Sequence, residues 1–135
     1  MKTAILLNNL GPNQLAYTIL KNQYPCTLFI KNIINPCIGT NKVVSLWHEA
    51  WSFDNTIIAT DIESAKFLIN LPCKKRYYYV SDLMRMNDSY LNIINILQSS
   101  KLEIIARSET HKKYLEDYAN IKISRIMQDL EYEKL

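Results

Sequence analysis

Apolar positions along this chain follow two alternating rhythms. Short unbroken runs, Ala4-Ile5-Leu6-Leu7, Ile57-Ile58-Ala59 and Ile104-Ile105-Ala106, each lead into a segment where apolar residues return every three or four positions. The first rhythm suits a strand buried on both faces, the second an amphipathic helix. Alternation of the two predicts a parallel sheet with helices on both faces. The pattern places strands at Thr3–Asn8, Cys26–Lys31, Val43–Trp47, Asn55–Ala59, Lys75–Val80, Leu102–Ala106 and Lys122–Ile126. The first helix starts at an Asn13 cap and stops before Tyr24-Pro25. Further helices run over Glu63–Leu71, with Thr60 and Glu63 at capping-box spacing, over Ser89–Gln98, and over Glu109–Ala119 behind a Ser108 cap. Asn32–Lys42, rich in Pro, Gly and Asn, reads as a long loop, His48–Asp54 as irregular, and Asp82–Asp88 as a turn. The residues after Ile126 read as a polar tail. Connections between parallel strands are expected to be right-handed.

Composition narrows this picture. A length of 135 residues accommodates one domain, 1–135, and no linker or repeat divides it. The hydrophobic fraction of 48% and charged fraction of 21% suit a globular protein, and the net charge of +3 gives little reason to expect nucleic acid. No apolar run is long enough to span a membrane, and the first run breaks at Asn8-Asn9, too early for a secretory segment. Cys26, Cys37 and Cys73 form neither an even set nor a CxxC pair. They read as free thiols in a reducing cytoplasm, and no metal site is expected. With only two glycines, the chain lacks the Gly-rich phosphate loop of common dinucleotide and ATP sites.

Several segments carry a family resemblance. They are the first strand with its turn Asn8-Asn9-Leu10-Gly11-Pro12, the run Thr56-Ile57-Ile58-Ala59-Thr60 before a helix and Pro72, the segment Arg76–Leu83, and Ile104-Ile105-Ala106-Arg107-Ser108-Glu109. Together they resemble the N-terminal half-domain of GT-B glycosyltransferases, and are similar to short glycosyltransferase-like proteins of tailed marine phages. The abundance of Asn, Ile and Lys suits an AT-rich viral genome. The resemblance implies a three-layer, Rossmann-like α/β domain with a mainly parallel sheet of six or seven strands. It implies sugar transfer from a nucleotide-sugar donor to a hydroxyl acceptor, such as a glycan, with no other cofactor required. In the family the donor binds mainly to a second, C-terminal domain, so a partner is expected to supply that half. The competing reading is a non-catalytic binding or assembly module, including a viral structural or accessory protein acting in the host cytoplasm or the virion. A receiver-type domain fits less well, since acids should follow the first strand where Asn8-Asn9 stand.

Candidate chemistry lies at the predicted carboxyl ends of strands, where parallel sheets bind ligands. Asn8, Asn9, Gly11 and Gln14 surround the first strand-to-helix turn, which also serves as an ordinary turn and cap. His48 and Glu49, flanked by Trp47 and Trp51, are the candidate base on an acceptor hydroxyl, or else a solvated loop on packed tryptophans. Asp61, Asp82, Ser108 and Glu109 reach the same rim as ligand-binding candidates, although helix capping accounts for such residues as well. Arg85 and Arg107 offer guanidinium groups for a phosphate. His111, beside Lys112 and Lys113, reads as part of a solvated face. Lys74-Lys75-Arg76 before three tyrosines has the composition of a nucleic-acid surface, but alternate strand residues face opposite ways and cannot form one platform.

Overall fold

The computed structural model describes residues 3–9, 14–32, 42–81 and 88–135. Seven strands form one sheet: β1 (Thr3–Asn9), β2 (Cys26–Asn32), β3 (Lys42–Leu46), β4 (Thr56–Ala59), β5 (Lys75–Val80), β6 (Glu103–Ala106) and β7 (Arg125–Ile126). Their order is β3-β2-β1-β4-β5-β6-β7, and every neighbouring pair is parallel. Helices α1 (Gln14–Lys21), α2 (Ile62–Ile69), α3 (Tyr90–Leu97) and α4 (Glu109–Ala119) lie between strands, giving the expected Rossmann-like α/β architecture. The strand order reverses between β1 and β4. Parallel sheets characteristically bind ligands at the carboxyl ends beside such a reversal.

The two faces of the sheet are covered differently. On one, Leu6, Ile57, Tyr78 and Ile104 pack with Ala65 and Leu68 of α2, Ile93 and Leu97 of α3, and Leu115 of α4. On the other, Ile5, Leu28, Ile58, Tyr79 and Ile105 pack with Ala16 and Ile19 of α1 and with Met127, Leu130 and Tyr132. The chain after β7 is therefore not a polar tail. Tyr132 and Leu130 are each 1% exposed, so the charged residues around them face water while these two close the second face. A short 3-10 helix, Tyr132–Lys134, follows, and the Tyr132 hydroxyl donates to the Tyr24 carbonyl.

Local chemistry shifts several boundaries. The cap of α2 is Asp61, whose carboxylate accepts from the Ser64 amide at 2.7 Å while the Ser64 hydroxyl accepts from the Asp61 amide at 3.0 Å. Thr60 cannot serve, because its buried hydroxyl donates to the Leu6 carbonyl at 2.7 Å and ties β4 to β1. Trp47 leaves the third strand for a 3-10 helix, Trp47–Ser52, and its indole N–H donates to the Leu7 carbonyl at 2.8 Å. The seventh strand shrinks to two residues, because Ile123 turns into the helix-side core and its amide donates to Glu116 at 2.9 Å. Helix α4 spans the predicted residues and ends on Asn120 at φ 52°, a left-handed position that Asn tolerates. Cys26 and Cys73 are buried free thiols. The Asn13 cap, Cys37, Arg85 and most of the two predicted loops (33–41 and 82–87) lie outside the described residues. No helix among the described residues is long and apolar enough to cross a membrane.

Candidate functional site

Two groups of polar side chains occupy the carboxyl edge of the sheet, one near its middle and one at the β6–β7 end. The first gathers beside the switch point. The Asn8 amide donates to Glu63 Oε2 at 3.0 Å, and Lys31 forms an ion pair with Glu63 Oε1. The Lys31 ammonium also lies 5.7 Å from the Trp47 ring centre, while Trp47 stacks on Phe67 at 5.2 Å and 16°. Each polar group here has its partner within the protein.

The second group surrounds a cleft of about 530 Å³ lined by Arg107, Ser108, His111, Ile126 and Gln128. Arg107 follows β6, and its Nη1 donates to the Ser81 carbonyl at 3.3 Å, bridging the ends of β5 and β6. The Ser108 hydroxyl caps α4 by accepting from the His111 amide at 3.2 Å. Ser108 and His111 thus bring the first turn of α4 to the cleft, and Glu109 in that turn complements the helix dipole. Below, the Tyr79 hydroxyl donates to the Met127 and Gln128 carbonyls at 3.0 and 2.9 Å, fixing the segment that carries Gln128. Burial pushes the Tyr79 phenol up to about 12; Arg107 opposes the shift and Asp129 adds to it.

His111 is the residue whose surroundings differ most from those its sequence neighbours suggest. It is half-buried, and its Nδ1 is shielded from solvent without a hydrogen-bond partner among the described residues. Buried polar atoms are rarely left unpaired, because such an atom forfeits its water without compensation. On a helix the adjacent lysines project about 100° and 200° away, so they do not describe the face His111 occupies. The spacing to Leu115 and Ala119, both buried, does describe it. That i, i+4, i+8 series was the available signal.

The remaining candidates separate by position. His48 and Glu49 sit on the 3-10 helix after β3; both are exposed, and no described residue hydrogen-bonds the His48 ring. Strands β3 and β6 stand five places apart in the sheet, about 24 Å at ~4.8 Å per spacing. His48 and His111 therefore cannot serve one reacting atom. Asp61 is committed to capping α2, although it remains half-exposed at the rim. Only the backbone of Asn9 and Gln14 is described, and Gly11 and Asp82 lie outside the described residues. The three tyrosines of β5 are all buried, with Tyr77 and Tyr79 on one face and Tyr78 on the other. Among the described residues no group of three or more His, Cys, Asp or Glu side chains is placed to hold a metal ion. Compared with protein-family models, with curated proteins and with solved structures, the chain matches none.

Proposed function

We propose that this chain is a glycosyltransferase-like domain that binds a hydroxyl-bearing sugar in the cleft between α4 and β7. The observation that carries this reading is the unpaired, shielded Nδ1 of His111 at a cleft also lined by Arg107, Ser108 and Gln128. Turned so that this nitrogen faces the cleft, the imidazole can accept a hydrogen bond and then a proton from a ligand hydroxyl. Arg107 supplies a guanidinium for a carboxylate or phosphate on the same ligand, and Gln128 an amide for a further hydroxyl. The nucleotide-sugar donor is then held against a second domain, in the same or another polypeptide, as in two-domain glycosyltransferases.

A second reading, a non-catalytic assembly module, draws on the outer face of α3 and α4. There Tyr90, Leu91 and Tyr114 are 59%, 70% and 51% exposed. Tyr118 links the rings, edge-on to Tyr90 at 5.3 Å and stacked on Tyr114 at 5.9 Å. Aromatic groups concentrated in this way are common in protein interfaces.

Thermal unfolding against a panel of sugars, nucleoside diphosphates and nucleotide sugars tests the first reading. A ligand at about 100 times its Kd adds roughly 2.7 kcal/mol, a rise of several degrees for a domain of this size. Arg107→Ala should abolish that rise while moving the Tm of the free protein by less than about 2 °C, because the side chain is exposed. No selective rise with any free sugar, or a free-sugar rise undiminished in Arg107→Ala, rejects the cleft as the sugar site and favours the assembly reading.

A further inference from the structure

We infer that the opposite, amino-terminal edge of β5, β6 and β7 is a second binding site, for a small anion carrying two or more phosphate groups. A cleft of about 700 Å³ opens there, lined by Lys75, Arg76, Lys101, Lys122 and Arg125 with one carboxylate, Glu103. Five cations against one acid leave this cleft at +4, more than the +3 of the whole chain. The positive charge of the protein is thus concentrated at one place, and the remainder is slightly acidic.

The bland explanation is compensation of helix dipoles, since α3 and α4 both end at this edge. Each helix terminus carries about −0.5 of a charge, so the two account for roughly one of the four positive charges. Among the described residues lining the cleft, Glu103 is the one carboxylate set against the rest. Glu103 is already taken by Arg125 Nε at 2.9 Å. Lys75, Lys101 and Lys122 are exposed, and none forms an ion pair among the described residues.

The two arginines are held in place. Arg125 lies 5.6 Å from the Tyr77 ring centre, and Arg76 donates through Nε to the Leu71 carbonyl at 3.2 Å. Fixed guanidinium groups with mobile ammonium groups around them suit several phosphate oxygens at once. A nucleic-acid strand fits less well, because Tyr77 is buried under Arg125 and no exposed aromatic ring lines the cleft to stack a base.

Isothermal titration of the full chain with tripolyphosphate at fixed ionic strength tests this, alongside orthophosphate and a single-stranded 12-mer oligonucleotide. Tripolyphosphate should bind at one site and more tightly than orthophosphate. Lys101→Glu with Lys122→Glu should weaken it by at least about tenfold, and the neutral pair Lys101→Gln with Lys122→Gln by less, as screened charge interactions require. Circular dichroism establishes that each variant is folded, and the milder pair remains decisive where the reversed pair is not. Arg107→Ala should leave tripolyphosphate binding intact, which separates this site from the sugar cleft. Equal affinity in wild type and the neutral and reversed pairs overturns the inference, as does heat no greater than that of matched chloride. An oligonucleotide that displaces tripolyphosphate at lower concentration overturns it in favour of nucleic acid.

Discussion

The two polar clusters at the carboxyl edge differ in how far their named groups are paired within the protein. Beside the switch point, Asn8, Lys31, Glu63 and the Trp47 indole are all paired within the protein. At the β6–β7 end, Arg107 makes one long contact to a carbonyl and His111 leaves a shielded nitrogen unpaired. Fold geometry alone would have selected the first cluster, because it lies where the strand order reverses. Hydrogen-bond saturation selects the second. Position in a fold identifies where a ligand can sit; unmet bonding capacity identifies where the protein is prepared for one.

Replacing Trp47 probes the paired cluster most severely. Trp47→Ala removes the indole bond to Leu7, the stacking on Phe67 and the contact with Lys31. A loss of about 3 kcal/mol is expected in urea unfolding, near the lower end for aromatic truncation because the side chain is only half-buried. A loss below about 1 kcal/mol would show that the cluster does little to hold the end of β1, and the contrast with the open cleft would collapse.

Tyr79→Phe sharpens the comparison from beneath the cleft. Losing the hydroxyl that holds Met127 and Gln128 should cost about 1–2 kcal/mol at pH 8. Because the folded-state pKa is raised from 10.0 to about 12, this contribution is whole below pH 10 and is lost as pH rises through about 12. The stability gap between wild type and Tyr79→Phe should therefore narrow between pH 10 and 12 in chemical denaturation. A constant gap across that range would mean the hydroxyl contributes without its burial.

The smallest stability effect carries the opposite sign. His111→Leu replaces an unpaired nitrogen by an apolar group of similar reach, and should be neutral or stabilising by up to about 1 kcal/mol. The same variant should lose any sugar-dependent rise in Tm. Destabilisation beyond about 1 kcal/mol would instead make His111 a packing residue and remove the distinction between the clusters.

Much of the fold was legible because its signals are local. The apolar runs at Ile5, Ile57 and Ile104 are strands buried on both faces, and Ser108 caps α4 where its place before Glu109 predicts. What escaped depends on contacts distant in sequence. Thr60 looked like a cap, but Leu6, 54 residues away, claims its hydroxyl. Met127, Leu130 and Tyr132 follow neither a helical nor a strand period, so nothing local revealed that they cover a sheet face. The site was legible as a rim and not as a pocket. Ser108 and Arg107 fell at a strand end as expected, whereas the sequence neighbours of His111, Lys112 and Lys113, pointed to solvent.

The segment that closes the second face also sets an order of events during synthesis. β1, β2, β4 and β5 are complete once Val80 has emerged, yet Tyr79 lacks the backbone partners that its hydroxyl requires. Those partners and Tyr132 arrive some fifty residues later, roughly 3–10 s at 5–20 residues per second. During that interval the nascent sheet carries an open apolar face, a target for chaperones that shield such surfaces.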